Sequence, residues 1–183
     1  GDGCEVNCNT TCHICRINTT TDVCSRCIVC TDSSCTTTES YDQRQFAAAD
    51  LLAQAEHGSG HERVWLVTTS AKVLKAVEKE VARQLPKLAR REFIQRALDN
   101  NGWLIQVKSL ADAIVLTNQL APEHCEVMTR EARKISEGIL TAGAIFLGGF
   151  SPTVLGDYVA GPSHTLPTGG ASASFAGLTV DQF

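Results

Sequence analysis

The chain has 183 residues, enough for one ordinary domain with a small appendage. With 43% hydrophobic and 20% charged residues it has globular rather than disordered composition, and its net charge of −4 argues against a general nucleic-acid binder. No stretch approaches the ~18 consecutive apolar residues of a membrane span, and no N-terminal stretch has the charged-then-apolar pattern of a secretory signal. The first residue is Gly, not Met, which reads as a fragment or a processed product.

Composition breaks sharply near Ser40 to Gln45. Residues 1–42 hold eight of the nine cysteines (Cys4, Cys8, Cys12, Cys15, Cys24, Cys27, Cys30 and Cys35), many Thr, and no Leu, Ala or Phe. A segment so poor in apolar volume cannot fold by burial alone and needs metal or disulfides. Its paired C-x2-C elements suit two zinc ions or a cluster. A disulfide knot is the other cross-linked reading and requires an oxidising compartment.

Residues 43–183 read as alternating helices and strands, hence a mostly parallel sheet with helices on both faces. Phe46 to His57 is a helix stopped by Gly58. Arg63 to Thr68 is a short, nearly continuous apolar run, a buried strand. Ala71 to Leu85 carries Val73, Leu74, Val77, Val81 and Leu85 at helical spacing. Pro86 opens a further helix, Asn101-Gly102 is a turn, and Trp103 to Val107 is a strand. Ser109 with Asp112 starts a helix over Leu110 to Leu120. Cys125 to Thr129 is strand, Glu131 to Thr141 helix, and Ala144 to Leu147 strand.

Two pairs carry candidate chemistry. Gln54 and His57, three apart, share a helix face; a histidine nitrogen suits zinc and an amide oxygen adds a harder donor. An exposed helix end also carries such residues for solubility. Glu123 and His124 put an acid beside an imidazole, a combination suited to proton transfer near neutral pH. The stretch from Gly143 to Gly170 is rich in Gly and Pro and carries Asp157, Tyr158 and His164. It follows a strand, and ligands in α/β sheets bind beyond the C-terminal strand ends; an irregular connection is the plain alternative. No G-x-G-x-x-G, P-loop or G-x-S-x-G pattern is present. Cys125 reads as a small buried hydrophobe.

Five ordered blocks resemble histidinol dehydrogenases: ADLLAQAEHG (Ala49–Gly58), LAPEH (Leu120–His124), AGAIFLG (Ala142–Gly148), SPTVLGDYVAGPSHTLPTGG (Ser151–Gly170) and FAGLTVDQF (Phe175–Phe183). The resemblance covers about residues 43–183. It implies an incomplete Rossmann-like domain in a cytoplasmic enzyme, homodimeric at full length. The implied reaction is oxidation of L-histidinol to L-histidine through an aldehyde, with one zinc per site and two NAD used in sequence. The metal ligands map to Gln54, His57 and Asp157, and the acid/base pair to Glu123 and His124. Substrate contacts map to Gln54, His57, His124, Asp157 and His164. The family continues beyond the position of Phe183 into a tail that gives a further zinc-ligand His to the partner subunit. The resemblance therefore implies a chain inactive by itself, with no nucleic acid or membrane as partner. Residues 1–42 stand where the family has an ordinary α/β segment, and their composition resembles out-of-frame translation. The alternative function is a non-catalytic metal- or partner-binding module built on the cysteines.

Overall fold

A computed structural model describes the backbone of residues 25–29 and residues 43–161, 165–175 and 177. The readings made for the remaining residues, including the fate of most of the cysteines and the position of His164, lie outside the described residues.

Five strands, β1 (Ser25–Val29), β2 (Arg63–Thr68), β3 (Gly102–Gln106), β4 (His124–Val127) and β5 (Ala144–Leu147), form one sheet in the order β3-β2-β1-β4-β5. Every pair is parallel. Between them run α1 (Gln43–Ala55), α2 (Ala71–Gln84), α3 (Arg91–Asn101), α4 (Leu110–Leu120) and α5 (Ala132–Ser136), with α6 (Val154–Tyr158) after β5. The order reverses at β1, as in doubly wound α/β sheets.

Both faces are covered, as the nearly continuous apolar strands require. On one face Val64 and Leu66 of β2 pack with Ala47, Ala48, Leu51 and Leu52 of α1, Val73 and Val77 of α2, and Ile94 and Ala97 of α3. On the other, Trp65 and Val67 meet Ile105 of β3, Ala113 of α4, Cys125 and Val127 of β4, and Ile135 of α5. Strand alternation thus sends neighbouring residues of β2 into two different cores. Cys125 is fully buried, as a small hydrophobe should be.

The central strand comes from the cysteine-rich stretch. β1 pairs with β2 from Ser25↔Arg63 to Val29↔Val67 and with β4 from Arg26↔His124 to Val29↔Val127. The sheet therefore reaches upstream of Gln43, where composition drew the boundary. The reason is one of scale: five residues (SRCIV) suffice for a short parallel strand, and a forty-residue average hides them.

Most local expectations agree with the structure, and the differences have local causes. Ser109 caps α4: its hydroxyl oxygen accepts from the Asp112 N–H at 3.1 Å and its O–H donates to the Asp112 carboxylate at 2.8 Å. Pro86 sits in a 3-10 turn (Leu85–Lys87) rather than opening a helix, because Leu88 is extended and α3 starts only at Arg91. Asn101-Gly102 is not a turn; α3 runs directly into β3, and a Cβ on Gly102 would stand 2.7 Å from the Leu98 carbonyl oxygen. Helix α5 stops at Ser136, far short of Thr141. No helix among the described residues is long and apolar enough to cross a membrane.

Candidate active site

Helix α1 carries Gln54 in its last turn and ends ahead of β2, so it delivers Gln54 and His57 to the N-terminal edge of the sheet. Gly58, at φ +96°, lets the chain turn there, and the Arg90 guanidinium fills the space a side chain would need. The turn is held by Glu62, almost wholly buried, whose carboxylate accepts the backbone N–H groups of Ser59 (2.7 Å) and Gly60 (2.9 Å). Burial pushes the Glu62 carboxyl up, but hydrogen bonds from the Ser59 hydroxyl and from the backbone of Glu62, Ser59 and Gly60 together hold it below the usual glutamate range. His57 is exposed, whereas Gln54 is fully buried.

Both polar atoms of the Gln54 amide lack a hydrogen-bond partner among the described residues. Leaving a buried amide unsatisfied costs on the order of 1–3 kcal/mol. Gln54 and His57 do not share a helix face, because α1 ends at Ala55 and His57 lies in the turn that follows. A hard amide donor three residues before a histidine is still a donor pair a zinc ion uses, and the orphaned amide fits such an ion.

Glu123 and His124 are brought to the same edge by a distorted helix end. Helix α4 closes on Ala121 at φ +44°, a left-handed conformation found at no other non-glycine among the described residues. Such a residue costs about 1–2 kcal/mol. Pro122 then prevents any return to helix. Three contacts hold the segment: the Ser172 hydroxyl donates to the Ala121 carbonyl at 2.9 Å, the Gly143 N–H to the Pro122 carbonyl at 2.9 Å, and the Ala144 N–H to the Glu123 carbonyl at 2.8 Å. A Cβ at Gly143 would stand 2.7 Å from the Glu123 carbonyl oxygen, so this approach needs glycine. Glu123 and His124 are both more than nine-tenths buried.

Alternation along β4 decides the face. Cys125 and Val127 enter the α4–α5 core, so His124 and Glu126 lie on the α1 face, where Met128 also packs. The His124 ring lies 6.2 Å from the Phe146 ring of β5. A Cβ on Gly156 would stand 2.9 Å from the same Phe146 ring, so α6 rests on this face at the residue before Asp157. Gln54, His124 and the helix bearing Asp157 thus share one face of the sheet. Asp157 itself is exposed. Among the described residues no three His, Cys, Asp or Glu side chains come together as a metal cluster; the expected set contains only two such groups beside the amide.

The active-site candidates from α1 and β4 therefore gather at the N-terminal strand edge. The glycine-rich stretch leaves β5 at the opposite, C-terminal edge and then returns, since Ser172 reaches Ala121. Phe146, Glu126, Thr153 and Ser172 were not singled out by sequence reasoning. Only Glu126 left a readable signal, a second acid two residues beyond His124 on a strand. The sequence contains no G-x-G-x-x-G turn of the usual dinucleotide cradle.

The comparisons with known proteins decide the family. The histidinol dehydrogenase family model matches residues 25–183, from the first residue of β1. The chain belongs to the histidinol dehydrogenase family. The histidinol dehydrogenases of Bacillus cereus and of Lactococcus lactis subsp. lactis are 45% and 46% identical to it over 139 residues, 76% of the chain and 32% of each relative. The crystal structure of histidinol dehydrogenase from Elizabethkingia anophelis superposes with a TM-score of 0.79 at 33% identity, covering 88% of this chain and 35% of that one. The chain thus spans about a third of the length of the relatives it matches. The structural match supports the α/β fold.

Proposed function

We propose that this chain carries the acid/base pair and three metal-binding residues of a zinc- and NAD-dependent oxidation of L-histidinol to L-histidine through the aldehyde. The observation that carries the reading is the fully buried Gln54 amide, unpartnered among the described residues, on the sheet face that also bears His124. The Gln54 amide oxygen, a His57 ring nitrogen and the Asp157 carboxylate would hold zinc. When bound, zinc supplies a Lewis-acidic anchor for the imidazole and amino nitrogens of the substrate.

The chain's own residues do the proton work. NAD, when bound, would supply the hydride acceptor for both oxidations. His124 would accept the hydroxyl proton of the carbinol in the first, and Glu123 would take a proton from the water that adds to the aldehyde in the second. Burial keeps both groups away from bulk water, which strengthens their interactions with a bound substrate. Phe146 gives His124 an apolar wall, so the imidazole has few orientations. Gln54, His57, His124, Asp157 and His164 would contact the substrate. The reading further includes a homodimer at full length and a cytoplasmic setting, and it expects residues 1–183 alone not to complete the reaction.

The direct test follows the imidazole NMR signals of His57 while zinc is added, which reports this site irrespective of cysteine-bound metal. Zinc should shift those signals, and Asp157→Ala and Gln54→Ala should each weaken the response at least tenfold. Unchanged affinity in both variants would remove the assigned site. Sustained NADH formation from L-histidinol by the purified chain would overturn the expectation that it is inactive alone.

A further inference from the structure

Helix α6 is poorly equipped to stay where it is. It is five residues long, too short to be stable by its own hydrogen bonds. None of its residues is buried, and Val154, Leu155 and Tyr158 are exposed, so no apolar side chain anchors it in a core. The residue before it, Thr153, has the chemistry of a helix cap but makes no capping bond to the helix.

Thr153 is used as a tether instead. It is almost fully buried, and its backbone N–H (3.3 Å) and its hydroxyl (3.0 Å) both donate to the same oxygen, Oε1 of Glu126. Glu126 is wholly buried in the middle of β4, two residues beyond His124 and in register with Phe146 of β5. A charged-type side chain is rarely placed there unless it is paired. The proposed proton transfer makes no use of it, and Thr153 takes one of its two oxygens, Oε1.

We infer that Glu126 is a positioning residue: through Thr153 it ties α6 to the acid/base strand and so sets where Asp157 stands relative to His124. The Phe146 ring adds a second link, lying 6.2 Å from the His124 ring and close against Gly156. The two halves of the site, proton transfer on β4 and metal binding on α6, are then fixed to each other by one carboxyl group. The inference rests on the reading of Asp157 as a metal ligand.

The test uses the full chain and zinc alone, with site affinity read from the His57 imidazole signals and the fold checked by circular dichroism. Thr153→Val keeps the side-chain shape and removes the hydroxyl; it should weaken zinc about tenfold, the scale of supporting residues around metal sites. Glu126→Ala should match it, and Glu126→Gln, which retains an acceptor oxygen, should stay within about threefold of wild type. In an Asp157→Ala background Thr153→Val should have no further effect, because its action passes through Asp157. If Asp157→Ala weakens zinc and Thr153→Val does not, the tether is wrong and the metal reading stands. An equal loss from Thr153→Val with and without Asp157 likewise overturns the positioning role. If Asp157→Ala binds zinc as wild type does, the metal reading falls and this inference falls with it.

Discussion

Around β2, five of six residues are buried and three helices close over one face. Around β5, none of the four residues is fully buried, and the chain that follows exposes Phe150, Val154, Tyr158, Val159 and Phe175. The first region is held by apolar burial. The second is held by particular polar contacts: Thr153 to Glu126, Ser172 to Ala121, and the Asn118 side chain to the loop after α5. Apolar burial is non-directional and tolerates small shifts, whereas a hydrogen bond fixes a geometry. The candidate residues on α6 and before β4 sit in the second region, and those on α1 sit on the edge of the first.

The largest test of this contrast is to truncate one side chain in each region. Leu66→Ala removes a fully buried β2 side chain and should lower the unfolding free energy by about 2–5 kcal/mol. Val159→Ser, at 77% exposure, should change it by no more than about 0.5 kcal/mol. Comparable losses in denaturant titrations would mean that the β5 side hides a core of its own.

Next in size is Gly143→Ala. Its Cβ meets a backbone oxygen rather than a flexible side chain, so Glu123 must move. A loss of about 1–3 kcal/mol is expected, with displaced His124 signals in the NMR spectrum. A variant as stable as wild type with unmoved His124 signals would show that the Glu123 approach is loose.

Asn118 comes third. Its amide donates to the Gly138 carbonyl at 2.8 Å, and its oxygen accepts the Leu140 N–H at 2.8 Å and the Thr141 hydroxyl at 3.2 Å. Asn118→Ala should cost about 1–2 kcal/mol and raise hydrogen exchange at Leu140 more than at Val67. Uniform exchange across both would refute a local role.

The smallest effect depends on pH. Glu62 has a folded pKa below its unfolded value, so its contribution is present above the unfolded value of about 4.3 and is lost as pH falls through the folded one. The stability difference between wild type and Glu62→Gln should therefore be larger at pH 7 than at pH 3. A difference that stays constant would mean that the Ser59–Gly60 turn does not depend on the charged carboxylate.

Much of this was legible in the residues. Val73 and Val77 show the helix period, RVWLVT and AIFL show strands by their length, and Ser109–Asp112 marks a helix start, because periodicity and capping are local properties. The candidate side chains were marked instead by the family resemblance that the QAEH, LAPEH and LGDY stretches carry. Sequence order and composition could not decide that Ser25–Val29 is the central strand, since strand order is set by pairing between residues far apart in the chain. Nor could they show that α4 ends on a left-handed Ala121, a conformation that Ala does not favour and that surrounding contacts enforce. The buried Gln54 amide and the tether from Glu126 to Thr153 also belong to the tertiary structure alone. Burial and hydrogen-bond satisfaction are properties of what surrounds a side chain, and only the folded chain supplies the surroundings.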